Sequence, residues 1–358
     1  MRYLLLFITV MLFGADSKLC KTCHPTIYSE YKNSMHFKST LKRDAIHNAL
    51  WQKQHIQQKG EYKCAKCHDP KVEGKLDSGV DCISCHKIKD IKEHTNANSN
   101  IYEKEPKLFY SKDITRRDKK ITYHKTSSFF GLFSSTVGSP YHDIDYRNKN
   151  YYTGRVCMGC HSHLKNSASL DICKISDKGA QSEEQNCITC HMPKVLGSAT
   201  TIKITKKHAY HGFLGAFNKP QMLAKYIELN ITKNADSFNV LIKNNTPHPL
   251  FTQPLRVVKL KVLVLDNQKP IFTKEVEFSK IFGKDNKPTI PALANMVLKD
   301  NMLKENETKV VKFNHKLSDN QKVIAILGYY KITPKIAKKL DINSKDLTSF
   351  VELKRVEF

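Results

Sequence analysis

One five-residue pattern, Cys-x-x-Cys-His, recurs five times and constrains this chain more than any hydropathy pattern does. It uses Cys20, Cys23 and His24; Cys64, Cys67 and His68; Cys82, Cys85 and His86; Cys157, Cys160 and His161; and Cys187, Cys190 and His191. The chain's own Cys and His content would give ~0.015 copies by chance. The spacing has a chemical reason. Two thiols three residues apart add to the two vinyl groups of one porphyrin, and the adjoining His meets one face of its iron. Zinc knuckles and redox Cys pairs explain paired cysteines, but not a His at the fifth place every time. The pattern therefore predicts five covalently bound c-type haems (iron).

These motifs consume ten of the eleven cysteines, so no disulfide framework remains. Cys173 is left over and reads as a packed, inert thiol. Residues 1–15 read as a secretory signal: Arg2, an apolar run from Leu4 to Phe13, then Gly14 and Ala15 before a cleavage site. The run is about half of what spans a bilayer, which favours cleavage over anchoring. A periplasmic location follows, because c-type haem is attached after export.

The formal charge is +25, with about +14 on residues 16–219 and +10 on residues 220–358. Haem propionates offset much of the first figure and none of the second. The residual basicity suits acidic periplasmic or membrane-bound redox proteins, or peripheral contact with an anionic membrane. Nucleic acid is a poor partner in that compartment.

Three regions are expected: the signal at 1–15, a pentahaem domain at 16–219 and a β-sandwich-like domain at 220–358. The haem domain reads as α-helical and loop-rich, packed around its cofactors. Residues 26–60 are rich in helix formers and lack internal Pro and Gly before Gly60. A continuous helix there would carry His36 roughly 18 Å beyond His24, so His36 would serve another haem. His47, Trp51 and His55 form an i, i+4, i+8 stripe, read as a packed face. Cys82 follows His68 by only 14 positions, which brings the second and third haems close. Residues 100–150 read as an excursion over the haems, with His124 and His142 inside it. His163 lies too near His161 to serve the same iron. His208 and His211 compete for one distal place, and His211 is favoured. From residue 221 apolar alternation predicts six or seven strands and a small sandwich, which offers a surface for oligomer formation. His248, between Pro247 and Pro249, is in reserve as a ligand reaching across to a haem.

Over residues 20–215 the chain resembles the multihaem family of the nitrifier tetrahaem cytochrome and hydroxylamine oxidoreductase. The resemblance rests on Tyr31-Lys32-Asn33-Ser34-Met35-His36 after the first motif, and on Gly79-Val80-Asp81 before the third. It rests further on the position of His94, and on the fifth motif with Met192-Pro193-Lys194 and His211-Gly212-Phe213-Leu214-Gly215. It implies that His36 completes the third haem and His94 the first. Residues 244–313 look like the β-domain attached to some relatives, with Pro247-His248-Pro249 replacing the family's Gly-His-x-x-Pro. The tetrahaem relative leaves its second haem without a distal protein ligand. No Cys-x-x-Cys-Lys attachment of the pentahaem nitrite reductases is present.

The expected distal set is therefore His36, His94, His124, His142 and His211. Eleven His outside the motifs more than supply five places. With every iron closed on both faces the chain is an electron carrier rather than an enzyme. The alternative is an oxidoreductase acting on a small nitrogen or sulfur compound at one five-coordinate haem, the second being the best candidate.

Overall fold

The computed structural model describes residues 17–58, 62–70, 77–128 and 133–358. The expected signal at 1–15 lies outside them. Among the described residues no helix is long and apolar enough to cross a membrane.

The first half is built from short pieces. Four helices open it: α1 (Ser17–Cys23), α2 (Pro25–Asn33), α3 (Met35–Lys38) and α4 (Ala45–Gln58). The continuous helix over 26–60 is therefore broken twice, each time at a capping side chain. Ser34 Oγ accepts the N–H of Phe37 at 3.2 Å, and Asp44 Oδ1 accepts those of Ile46 and His47 at 3.0 and 3.1 Å. Ser and Asp compete for backbone donors in this way, so they start a new helix more readily than they continue an old one. The break re-aims His36, which a straight helix would have carried away.

Four more helices carry the remaining motifs, at α5 (Ala65–His68), α6 (Cys82–His86), α8 (Met158–His161) and α9 (Cys187–His191), with α7 (Asn150–Thr153) between them. This half is less purely helical than expected. Small sheets pair Ile88–Lys92 with Ser99–Tyr102, His163–Lys165 with Asp171–Lys174, and Lys194–Leu196 with Lys207–Ala209. The excursion at 100–150 holds a three-stranded sheet and a hairpin, His124–Ser128 with Phe133–Val137. Strands of two to five residues are too short to print a period-two signal.

After a 3-10 turn at Pro220–Tyr226 the chain becomes antiparallel β. One sheet has Ile227–Lys233, Phe238–Asn244 and Thr308–Phe313, with Phe238–Asn244 in the middle. A second orders Lys269–Phe278, Val257–Asp266, Gln321–Tyr330 and Phe350–Glu357. Alternate residues of the central strands, including Phe238, Val240, Ile242, Leu260, Val262, Val264, Val323 and Ala325, are fully buried in one cluster. Each of the Phe, Leu, Ile and Val side chains contributes roughly 1.5–3 kcal/mol on burial. A third small sheet, Lys280–Lys284 with Lys287–Pro288 and Met296–Asp300, was not legible in the sequence, because most of its residues are solvent-facing and do not alternate.

The β-rich part is fastened to the motif-bearing part. Tyr329, fully buried, donates its hydroxyl to the Ala216 carbonyl at 2.5 Å. Ile46, Leu50 and Ala49 of α4 pack with Leu255, Ile332, Ala337 and Leu340. Asn166 Nδ2 bridges to the carbonyls of Pro291 and Ala294 at 2.9 and 2.7 Å.

Candidate haem-binding sites

Each motif occupies about one helical turn, which sets its two thiols on one face with the His beside them. Asp81 caps the third motif by accepting the Ser84 N–H at 2.7 Å. Asn186 caps the fifth in a reciprocal box with Thr189. No disulfide joins any of the eleven cysteines. Cys173 sits half-buried in a strand, and burial pushes its thiol up to about 11, as an inert thiol requires. A cavity of about 3880 Å³ is lined by both thiols and the His of each of the first four motifs. Ligand pockets are usually about 300–1,000 Å³, so this one is sized for several large planar groups.

The motifs that touch are not neighbours in sequence. Helix α1 packs on α6 and α5 on α8. The thiols of Cys20 and Cys82, of Cys67 and Cys160, and of Cys157 and Cys187 lie within hydrogen-bonding reach. Direct contacts thus join motifs one and three, two and four, and four and five.

Four motif histidines each face a second imidazole. Ring centroids are 6.3 Å apart for His24 and His142, 6.3 Å for His86 and His211, 6.0 Å for His161 and His36, and 6.2 Å for His191 and His248. A metal bonded by two imidazole nitrogens at about 2.0–2.1 Å separates ring centroids by about 6.4 Å. Direct ring stacking would bring them closer. These four spacings fit an iron and a porphyrin plane between the rings.

Hydrogen bonds aim the rings. Nδ1 meets a backbone carbonyl in His24 (Ala199, 2.7 Å), His86 (Tyr110, 2.7 Å), His191 (Leu214, 2.6 Å), His211 (Ala209, 2.7 Å) and His248 (Pro249, 2.7 Å). A proton held on Nδ1 leaves the Nε2 lone pair free for metal. In His142 Nδ1 is buried without a hydrogen-bond partner among the described residues, as an atom reserved for a metal would be. Burial also disfavours the imidazolium. It brings His36, His68 and His211 down to about 3, and lowers His86, His142, His161 and His248. A metal ligand must be neutral, so desolvation prepares these rings for iron.

The pairing differs from the one the family resemblance implied. The ring opposite His36 is His161 rather than the third motif's His86, and the ring opposite His24 is His142 rather than His94. His94 and His124 are both exposed, and among the described residues neither ring stands opposite a motif His. His94 instead lends its carbonyl to His163 Nε2 at 2.8 Å. His208 is buried with both ring nitrogens engaged, by Gly197 O at 3.0 Å and Glu30 Oε1 at 2.9 Å, so no lone pair is left to face the cavity. The reserve residue His248 is brought in by its loop. Asn244, fully buried, and Thr246 both donate to the His248 carbonyl, at 3.0 and 2.7 Å.

The second motif is different. The ring nearest His68 is His47, with centroids only 3.9 Å apart and planes inclined 48°. That spacing is too short for an iron between them. His47 is itself held by the Ser39 carbonyl (3.1 Å) and the Tyr62 hydroxyl (3.3 Å). The stripe read as a packed face therefore delivers one buried His to the second motif's own side.

Two supports were missed in the sequence. Glu30 is an ordinary helix residue by pattern. Its Oε2 nevertheless accepts the His211 N–H at 2.9 Å, while Oε1 holds His208. Gly159, inside the fourth motif, lies so close to the Asn100 side chain that a Cβ there would displace it.

A family model described as cytochrome c554 and c-prime matches residues 19–87, the first three motifs. No curated protein sequence matches. Among solved structures, a penta-heme cytochrome c552 from Thermochromatium tepidum superposes with a TM-score of 0.72 at 21% identity, over 96% of this chain and 98% of that one. The fold is thus that of a penta-heme cytochrome, and the five Cys-x-x-Cys-His motifs carry the chemistry of covalently bound c-type haems.

Proposed function

We propose that this protein moves electrons between periplasmic or membrane-bound redox partners. The carrying observation is the set of four opposed imidazole pairs at 6.0–6.3 Å. The haems supply one-electron exchange. The chain supplies His24 and His142, His86 and His211, His161 and His36, and His191 and His248 as ligand pairs that leave no coordination site for substrate. The contacts between motifs set two groups for that transfer, the first motif with the third, and the second and fifth with the fourth. The helix-and-sheet framework around the cavity would then be a haem-packed core. An acidic redox protein or an anionic membrane face suits the surplus of about +10 on residues 220–358. Electron paramagnetic resonance of the oxidised protein should resolve four low-spin bis-imidazole signals. Fewer than four would overturn this reading.

One observation favours a second activity at the second haem. His68 has no imidazole facing it at ligand spacing among the described residues, since His47 stands at 3.9 Å. An open iron there would bind a small nitrogen or sulfur compound, fed with electrons by the other four. Carbon monoxide added to the reduced protein should bind one haem in five. No binding, with a fifth low-spin signal, would remove the enzymatic reading and leave the conductor intact.

A further inference from the structure

The β-rich part sends one cation into the cavity without giving it an anion. Arg256 stands just before the strand Val257–Asp266, its backbone N–H held by the Gln253 side chain at 3.0 Å. Its guanidinium lies over two aromatic rings, 5.3 Å from Phe217 and 5.8 Å from Phe251, and faces the cavity that the motif thiols line. Among the described residues it makes no side-chain hydrogen bond and no ion pair. Desolvation brings it down to about 10, countered by Tyr329 and Asp44. Asp44 is occupied as the cap of α4.

A second cation lies beside it. Lys331 Nζ sits 5.0 Å from the same Phe217 ring, lines the same cavity and donates to the Asp346 carbonyl at 3.2 Å. Burial lowers its ammonium, Asp346 offsets part of this, and Arg256 and Lys38 add a smaller repulsion. A desolvated guanidinium sharing one ring with a half-buried ammonium is costly unless an anion joins them. The planar guanidinium fork matches a carboxylate in shape and charge.

We propose that Arg256 and Lys331 form a carboxylate site inside the haem cavity, built to take a propionate of the haem attached at Cys64 and Cys67. The placement follows from α4, which packs Ile46 and Leu50 against Leu255 on one flank and carries His47 to the ring of His68 on another. The site rests on the reading of a haem-filled cavity, but not on whether the second iron is open. The same chemistry would hold a free small oxyanion on its way to that iron. The β-rich part then acts on a haem directly, as well as shielding it.

Potentiometric titration of the intact haem-loaded protein tests this, with Arg256→Gln, Arg256→Lys and Lys331→Gln beside wild type. A cation beside a propionate favours the reduced haem. Arg256→Gln should therefore lower the potential of one haem by about tenfold in its reduced-to-oxidised ratio, about 59 mV for one electron. The other four should stay in place. Arg256→Lys should restore part of the shift, and Lys331→Gln should move the same haem less in the same direction. Sodium acetate separates the two sources. A wild-type potential indifferent to acetate assigns the site to the propionate, and one that acetate shifts, but not in Arg256→Gln, assigns it to a free oxyanion. Lys331→Gln keeps the test alive if Arg256→Gln does not fold. Five unchanged potentials in the variants, with and without acetate, overturn the proposal.

Discussion

His191 and His248 face each other at 6.2 Å with planes inclined 23°, although 57 positions separate them and they belong to the two halves of the fold. Under the proposed ligation the fifth haem would bolt its motif to the β-rich part, since the ring opposite His191 comes from a loop that Asn244 and Thr246 hold in place. His248→Ala should convert one low-spin signal of the oxidised protein into a high-spin one that binds carbon monoxide. The remaining signals should not move. Five unaltered signals would show that His248 is not a ligand.

The difference between His248 and His94 shows what the sequence can and cannot carry. The attachment motifs are local chemistry, legible from residue spacing alone. The long β-strands are legible because one face is buried and alternates. Distal ligands are set by which loops meet across the cavity, and nothing local marks them. His94 stands at an interval suited to a ligand and is exposed, whereas His248 looked like a loop outlier and faces a motif ring. His36 was singled out, but its partner depended on two helix breaks at Ser34 and Asp44 that redirect the chain. His208 and His211 are three residues apart, and Glu30, 178 and 181 positions upstream of them, distinguishes their roles.

Glu30 therefore carries a test of its own. Its carboxylate serves two buried donors, the His211 N–H and His208 Nε2, each at 2.9 Å. Glu30→Ala leaves both unsatisfied, at a cost of about 1–3 kcal/mol for each group. Thermal unfolding should show a clearly lowered midpoint, and the low-spin signal of the His86–His211 pair should shift its g-values. Glu30→Gln should lose less stability, because one acceptor remains. A midpoint and spectrum identical to wild type in Glu30→Ala would exclude a positioning role.

Gly79 ties the second motif's loop to the turn that bears His36. Its φ is +71°, and a Cβ there would sit 2.5 Å from the His36 carbonyl oxygen and 2.9 Å from that of Phe37. Both are backbone atoms and cannot swing aside. The Asp69 carboxylate holds the same loop through the N–H groups of Asp77, Ser78 and Gly79, at 2.7, 3.1 and 2.9 Å. Gly79→Ala should destabilise by about 1–3 kcal/mol from the left-handed conformation alone, with the clash added. Because the clash falls on His36, the His36–His161 signal should broaden or shift while the His191–His248 signal is unchanged. Equal stability and an unshifted His36–His161 signal would mean that the turn is looser than its geometry indicates.

Acid should release the ligands in a definite window. Burial brings His36, His68 and His211 down to about 3, whereas an unfolded imidazole takes its proton near 6.5. Between those values the unfolded chain binds more protons than the folded one, so stability falls as pH falls. Above about 6.5 neither state is protonated at these rings, and their contribution is fully present. Coordination to iron acts in the same direction, since a bound nitrogen must give up its metal to accept a proton. The low-spin spectrum and the far-ultraviolet circular dichroism should be flat from neutral pH to about 6.5. Both should then be lost progressively as pH drops toward 3, with the spectrum following the dichroism. A low-spin spectrum that grows as pH falls from 7 to 5, or is unaltered at pH 3, would contradict the assignment of buried neutral imidazoles as the ligands.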